Sequence, residues 1–131
     1  MTLVTFCTIV AALEFLIGLP MVVAPAAAAQ WMIRFVRDEI TYRLTGVLLV
    51  AMGAAALAHD CVFSTDVAGV VRLMALLTAV KGVFVCWWPG HHVRIVDAVL
   101  SSPMKARLIG IFAVCVGLLF AAAAQVLRTS T

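Results

Sequence analysis

The chain contains four long apolar segments, and these constrain its fold more than any other feature of the sequence. A helix needs roughly 20 residues to cross a hydrocarbon core of about 30 Å, and each segment has about that length. The segments are Leu3–Ala24, Ile40–Ala58, Val67–Trp88 and Met104–Leu127. None shows the alternation of a barrel strand, and a helix satisfies its own backbone hydrogen bonds in lipid. The sequence therefore predicts an all-α, polytopic membrane four-helix bundle.

The overall composition supports lipid as the solvent of this chain. Hydrophobic residues make up 66% of the sequence and charged residues 11%, whereas soluble domains have about 45–50% and about 25%. A small soluble fold could not hide that surplus, because small domains leave much of their surface exposed. The net charge is only +3 and the basic residues are scattered, which argues against nucleic acid as a partner.

The first apolar segment has one competing interpretation, a cleaved secretory signal. The run Ala26–Ala29 follows the segment and resembles a small-residue cleavage site. However, no Lys or Arg precedes the segment, and Glu14 interrupts it. We therefore expect the first segment to be retained as a membrane span.

An offset of 64 residues aligns the chain with itself, and six of its eight glycines then pair. The matched positions are Gly18 and Gly82, Gly46 and Gly110, Gly53 and Gly117, Pro25 and Pro89, and Arg43 and Arg107. This pattern predicts a single membrane domain built from two tandem helical hairpins, repeat 1 over 3–59 and repeat 2 over 67–127. Two parallel repeats predict a pseudo-two-fold axis along the membrane normal. Duplication for stability alone is an equal alternative to a functional reason.

The paired glycines are predicted to pack helices rather than to bind a ligand. Gly46 and Gly53 are seven residues apart, so they share one face of a helix. Gly110 and Gly117 repeat that spacing on the last span. Small residues of this kind let helix backbones approach closely in lipid.

The two connectors that begin at Pro25 and Pro89 mix apolar and polar residues at helical spacing. We interpret each as a short amphipathic helix lying at the membrane interface. A proline suits the first turn of such a helix. Asp38 and Ser102, which are equivalent by the offset, are predicted to cap the spans that follow.

Basic residues are concentrated on the two connectors and the helix starts beside them. They are Arg34, Arg37, Arg43, Arg94, Lys105 and Arg107. The positive-inside rule then places both connectors in the cytoplasm and both termini outside. The sequence thus predicts a multi-pass protein of the cell (inner) membrane.

Two charged residues lie within the apolar segments and form a candidate intramembrane charge pair. Glu14 lies in the middle of the first segment, where a carboxylate is costly. Lys81 corresponds by the offset to position 17, one helical turn from Glu14. A functional interpretation is a proton or ion relay. The alternatives are a structural ion pair, or a protonated Glu14 with Lys81 extending towards the headgroups.

Arg43 and Arg107 are predicted to contact lipid or an anion, because each begins a span at the connector side. The contact is either an anchor on lipid phosphates or a symmetric anion site. His91 and His92 lack a third ligand at useful spacing, so no metal and no cofactor are expected.

The cysteines form no CxxC pair. A disulfide between Cys7 and Cys61 is one option in an oxidising compartment. Cys86 and Cys115 have the character of small apolar residues.

The pattern Arg-x-x-Gly-x6-Gly begins at Arg43 and again at Arg107. It resembles the helix openings of small four-helix membrane proteins of the DoxX-like kind, and the resemblance covers both hairpins. It implies a four-helix membrane bundle and no defined activity. Glu14 in the first of four spans also resembles the glutamate of small multidrug resistance transporters. Those proteins are shorter and lack this duplication.

The leading hypothesis from the sequence is a non-enzymatic accessory or scaffold subunit. Its partners would be the lipid bilayer and other membrane-protein subunits, or further copies of itself. No catalytic motif is present to suggest an enzyme. The alternative is a small transporter or channel that uses Glu14 and Lys81, and a lipid- or quinone-modifying enzyme ranks third.

Overall fold

The structure is a computed structural model that describes residues 1–130, and this part of the chain contains six α-helices and no strand. The helices are α1 (Leu3–Val23), α2 (Pro25–Arg37), α3 (Glu39–Leu57), α4 (Val67–Trp87), α5 (Pro89–Val99) and α6 (Pro103–Thr129). By length and composition, α1, α3, α4 and α6 are able to cross a membrane. The all-α class and the four predicted spans are confirmed, with ends shifted by one or two residues.

The four spans pack as two helix pairs. Helix α1 packs chiefly against α6, and α3 packs chiefly against α4. Each pair thus joins one span from the first half of the chain with one from the second half. The two spans of the first half, α1 and α3, touch only slightly. The most extensive helix contacts therefore lie between the two predicted hairpins, not within them.

Four span ends meet in a hydrophobic cluster beside residues 58–66, which we call the loop end of the bundle. Phe6 and Cys7 of α1 are completely buried there, as is Ala75 of α4. Val71 of α4, Ala56 of α3 and Ala124 of α6 complete this cluster. The starts of α1 and α4 and the ends of α3 and α6 therefore lie together.

Helices α2 and α5 contact each other at the opposite, connector end. The Arg37 Nη2 atom of α2 lies 3.1 Å from Asp97 Oδ2 of α5; the Arg37 side chain is largely exposed and that of Asp97 is partly exposed. Pro25 and Pro89 occupy the first turns of these helices, as the sequence predicted. Helices are thus present where the amphipathic connectors were expected.

Of the two predicted caps, one is confirmed and one is wrong. The Ser102 hydroxyl accepts a hydrogen bond from the Lys105 backbone N–H at 3.3 Å. Asp38 occupies the cap position of α3 but makes no side-chain bond to the backbone. Its carboxylate instead accepts from the Thr41 hydroxyl at 2.6 Å. The hydroxyl on the first turn competes with the backbone N–H for the same acceptor.

Candidate functional site

A glycine-to-glycine contact lies in the connector-side half of each helix pair. In the α3/α4 pair, a Cβ atom added to Gly82 would lie 2.6 Å from the Gly46 carbonyl oxygen. In the α1/α6 pair, a Cβ atom added to Gly18 would lie 3.0 Å from the Gly110 carbonyl oxygen. The obstructing atoms are backbone atoms, which cannot turn aside as a side chain can. Both contacts thus depend on glycine, and their residues correspond by the offset of 64.

The two helix pairs differ in the contacts of the next glycine towards the loop end. A Cβ atom on Gly53 of α3 would lie 2.5 Å from the Ala75 carbonyl oxygen. The corresponding atom on Gly117 of α6 would lie 3.2 Å from its nearest neighbours, Glu14 Cβ and the Phe15 ring. The contact at this level is therefore tighter in α3/α4. In α1/α6 the Glu14 and Phe15 side chains make the contact with Gly117.

Glu14 is half-buried at the α1/α6 contact. It lies eleven residues after the start of α1, or roughly 16 Å along the helix at about 1.5 Å per residue, near the middle of the span. Lys81 is an exposed residue of α4. Among residues 1–130, the ion pairs within 4.0 Å do not include these two. The two charges therefore lie on contacting helices without a direct ion pair.

The two equivalent arginines have different surroundings. Arg43 of α3 places Nη2 2.6 Å from Glu39 Oε1, and its Nε lies 3.0 Å from the same oxygen. Arg107 of α6 has no carboxylate partner within the described part of the chain. The position that corresponds to Glu39 is Pro103, which has no charge. The predicted symmetric site is thus electrostatically asymmetric.

An open groove of about 410 Å³ lies beside the unpaired guanidinium. Its lining is formed by the first residue of α2 and the first three turns of α6. The residues are Pro25, Pro103, Met104, Arg107, Leu108 and Ile111. One cation therefore lies in an otherwise apolar wall.

An aromatic cluster that sequence reasoning missed lies at the connector end of α3/α4. Tyr42 is only 9% exposed and packs with Val36 and Val85. Its ring centroid lies 6.1 Å from that of Phe35 and 6.1 Å from that of His92. His92 Nδ1 is buried and has no hydrogen-bond partner within residues 1–130.

The same location in the α1/α6 pair is aliphatic. Ala106 corresponds to Tyr42 by the offset and is completely buried with Met21 and Leu100. Ala28 corresponds to His92 and packs against this cluster. The mismatch between an aromatic residue and alanine at equivalent positions is the sequence signal that could have located the Tyr42–His92 contact.

The loop at 58–66 is held to α4 by polar contacts that the sequence analysis also missed. Arg72 donates to Asp60 Oδ2 and to the Val62 carbonyl oxygen, both at 2.8 Å. Asp66 accepts from the Gly69 backbone N–H at 3.0 Å and from the Ser64 hydroxyl. The Ser64 hydroxyl, followed by the Gly69 N–H, lowers the pKa of the Asp66 carboxyl.

The four cysteines are all free thiols. Cys7 is buried and Cys61 is exposed, so the optional disulfide between them is not formed in this structure. Within residues 1–130, no group of three or more His, Cys, Asp or Glu side chains is arranged to hold a metal ion.

The fold and the apolar spans define the class of this chain as an α-helical, multi-pass membrane protein. Comparisons with protein-family models, with curated proteins and with solved structures gave no match to the chain.

Proposed function

We propose that the chain is a non-enzymatic accessory or scaffold subunit that packs against a larger complex in the cell (inner) membrane. The observation that carries this proposal is the surface that the bundle leaves uncovered. Less than a third of each span is buried within the chain. Leu16, Leu48 and Leu119, on three different spans, are each about 70% exposed. A second membrane protein would cover part of this surface.

One face of α3 has the shape expected of a helix-docking surface. Val47, Ala51 and Ala54 share this face, and all three are exposed. We call it the α3 outer face. Its two alanines would let the backbone of a partner helix approach closely.

Lys81 gives a second reason for a partner. It is exposed within α4, six residues before the helix ends, or roughly 9 Å at about 1.5 Å per residue. A charged side chain at that depth is costly against lipid. A carboxylate from a neighbouring subunit would offset the cost. Extension of the ammonium group towards the headgroups is the alternative.

We infer that the two halves arose by tandem duplication, with the connector end in the cytoplasm. The recurrence of the Gly46–Gly82 contact as Gly110–Gly18 supports the duplication. The buried side of α2, the partly buried side of α5 and the exposed arginines, Arg37 and Arg94, support a position of both helices at the membrane interface. The basic residues of the connectors support the orientation.

The subunit role is tested by solubilising native membranes in a mild detergent and measuring the size and composition of the particle. We expect the chain to co-migrate with a different membrane protein in a fixed ratio. Ala54→Leu on the α3 outer face should release it from that particle. Ala122→Leu, the same change at an exposed position of α6, should not. A particle that contains only this chain would contradict the accessory role.

A small transporter or channel is the second candidate, and the position of Glu14 favours it. A half-buried carboxylate near the middle of a span is a typical feature of an ion or proton pathway. The test is proton flux in proteoliposomes that contain the purified chain alone. This candidate requires flux from the parent protein and its loss in Glu14→Gln. Equal flux from both proteins would remove Glu14 from any mechanism.

A further inference from the structure

We propose that the groove beside Arg107 binds one anionic phospholipid, with its phosphate on the guanidinium and one acyl chain along α6. This site is independent of the proposed subunit role. It also differs from the symmetric pair predicted from the sequence, because only one of the two equivalent arginines is available.

Charge complementarity identifies the headgroup. The Arg107 side chain is exposed and, within residues 1–130, has no carboxylate partner. A guanidinium matches a phosphate with two parallel N–H donors. Arg43 already directs Nε and Nη2 to Glu39, so its charge is compensated. The offset places Pro103 where that glutamate would stand.

The apolar wall of the groove identifies the rest of the ligand as a lipid. Met104, Leu108 and Ile111 line it and are 75%, 60% and 47% exposed. They occur at i, i+4 and i+7, so they form one stripe along α6. A free inorganic anion would gain nothing from such a wall.

The stripe also has the length of one acyl chain. It continues on the same face through Cys115 and Leu118, which are both exposed. From Arg107 to Leu118 the helix rises roughly 16 Å at about 1.5 Å per residue. That distance is about half of a 30 Å hydrocarbon core, or one leaflet. A phosphate at Arg107 would thus leave its acyl chain against apolar residues down to the bilayer midplane.

The test compares lipid retention by the full chain in detergent, read by native mass spectrometry with dioleoylphosphatidylglycerol or dioleoylphosphatidylcholine. We expect Arg107→Gln to reduce the preference for the anionic lipid by about fivefold, the factor expected for one arginine at an anionic surface. Arg43→Gln should change it by less than about twofold, since that arginine is already ion-paired. Arg107→Lys should retain most of the preference.

Two further variants test the two parts of the site, its free guanidinium and its apolar wall. Glu39→Gln leaves Arg43 without its carboxylate, so we expect a second bound phosphatidylglycerol. Leu108→Trp fills the groove without changing its charge, so it should reduce retention. Every variant is first compared with the parent by circular dichroism and gel filtration. If Arg107→Gln fails to fold, the Glu39→Gln and Leu108→Trp results decide.

Three outcomes would overturn the lipid site. The first is an equal loss of preference in Arg107→Gln and Arg43→Gln, which would indicate only general surface charge. In the second, glycerol 3-phosphate displaces the lipid at equal concentration, which would indicate a site for a free phosphate. In the third, Arg107→Gln releases a protein partner while lipid retention is unchanged. The groove would then belong to the proposed complex, whose own test with Ala54→Leu is unaffected.

Discussion

The α3/α4 pair and the α1/α6 pair share one glycine contact and differ on both sides of it. Towards the loop end, Gly53 meets the Ala75 carbonyl oxygen and Ala79, whereas Gly117 meets Glu14 and Phe15. Phe15 and Ala79 are equivalent by the offset. Ala79 is small and allows the closer helix contact in α3/α4. In α1/α6, Phe15 and Glu14 are larger, and Glu14 brings a carboxylate to the helix contact.

Towards the connector end, the α3/α4 pair has the larger side chains and the α1/α6 pair the smaller ones. The α3/α4 pair buries Tyr42 against His92 and neutralises Arg43 with Glu39. The α1/α6 pair buries Ala106 with Met21 and Leu100 at the equivalent place. It leaves Arg107 without a carboxylate partner beside the groove at the start of α6. The shared glycines therefore fix the spacing of the helices, while the flanking positions are free to diverge. Glu14 and the unpaired Arg107 therefore both lie on the α1/α6 pair.

The largest expected effect is a loss of stability on removal of the Tyr42 ring from the α3/α4 pair. Tyr42→Ala gives α3 the residue that α6 has at Ala106, but without the aliphatic neighbours that fill the space there. We expect the free energy of unfolding to fall by about 2–4 kcal/mol, the range of large-to-small changes at buried positions. The measurement is unfolding by a harsh detergent in mixed micelles.

Tyr42→Phe is the matched control, because it keeps the ring and removes only the hydroxyl. Its cost should stay below about 1 kcal/mol, because the ring keeps its packing with Phe35 and His92. Equal losses in the two variants would show that the hydroxyl, not ring packing, stabilises this end of α3.

The next effect tests the difference in helix spacing. Gly53→Ala places a Cβ atom against the Ala75 carbonyl oxygen, so α3 and α4 must separate. We expect a loss of about 1–3 kcal/mol in the free energy of unfolding, as for overpacked cores. In Gly117→Ala the nearest atoms to the new Cβ are Glu14 Cβ and the Phe15 ring at 3.2 Å, so this variant should cost less than about 1 kcal/mol. Equal losses from both variants would refute the proposed difference between the pairs.

The sequence was sufficient to predict the spans and the paired glycines, because length, hydropathy and a fixed offset are local or repetitive signals. It did not predict that α1 pairs with α6 and α3 with α4. That choice depends on how four helices of similar hydropathy meet in space. Tyr42 and His92 were missed because they lie on different helices, far apart in the chain. The Asp38 cap failed because one turn of sequence does not show that Thr41 would compete.

The smallest expected effect concerns the first turns of α1 and α4, which correspond by the offset. Thr2 caps α1 by accepting from the Thr5 backbone N–H at 3.2 Å. Asp66 caps α4 by accepting from the Gly69 backbone N–H at 3.0 Å. Both are polar side chains at the same repeat position, but only the Asp66 cap is able to titrate.

The sign of the pH dependence follows from the lowered pKa of Asp66. Because the Ser64 hydroxyl and the Gly69 N–H bind the carboxylate form, the cap is fully present above about pH 4, near the unfolded pKa. It is lost as the pH falls through the lower folded pKa. In detergent micelles, the Gly69 amide resonance should titrate with a midpoint below 3.8. The Thr5 amide resonance should stay constant, and Asp66→Asn should abolish the Gly69 titration. A midpoint at or above 3.8, or parallel movement at Thr5, would show that the two caps do not differ in this way.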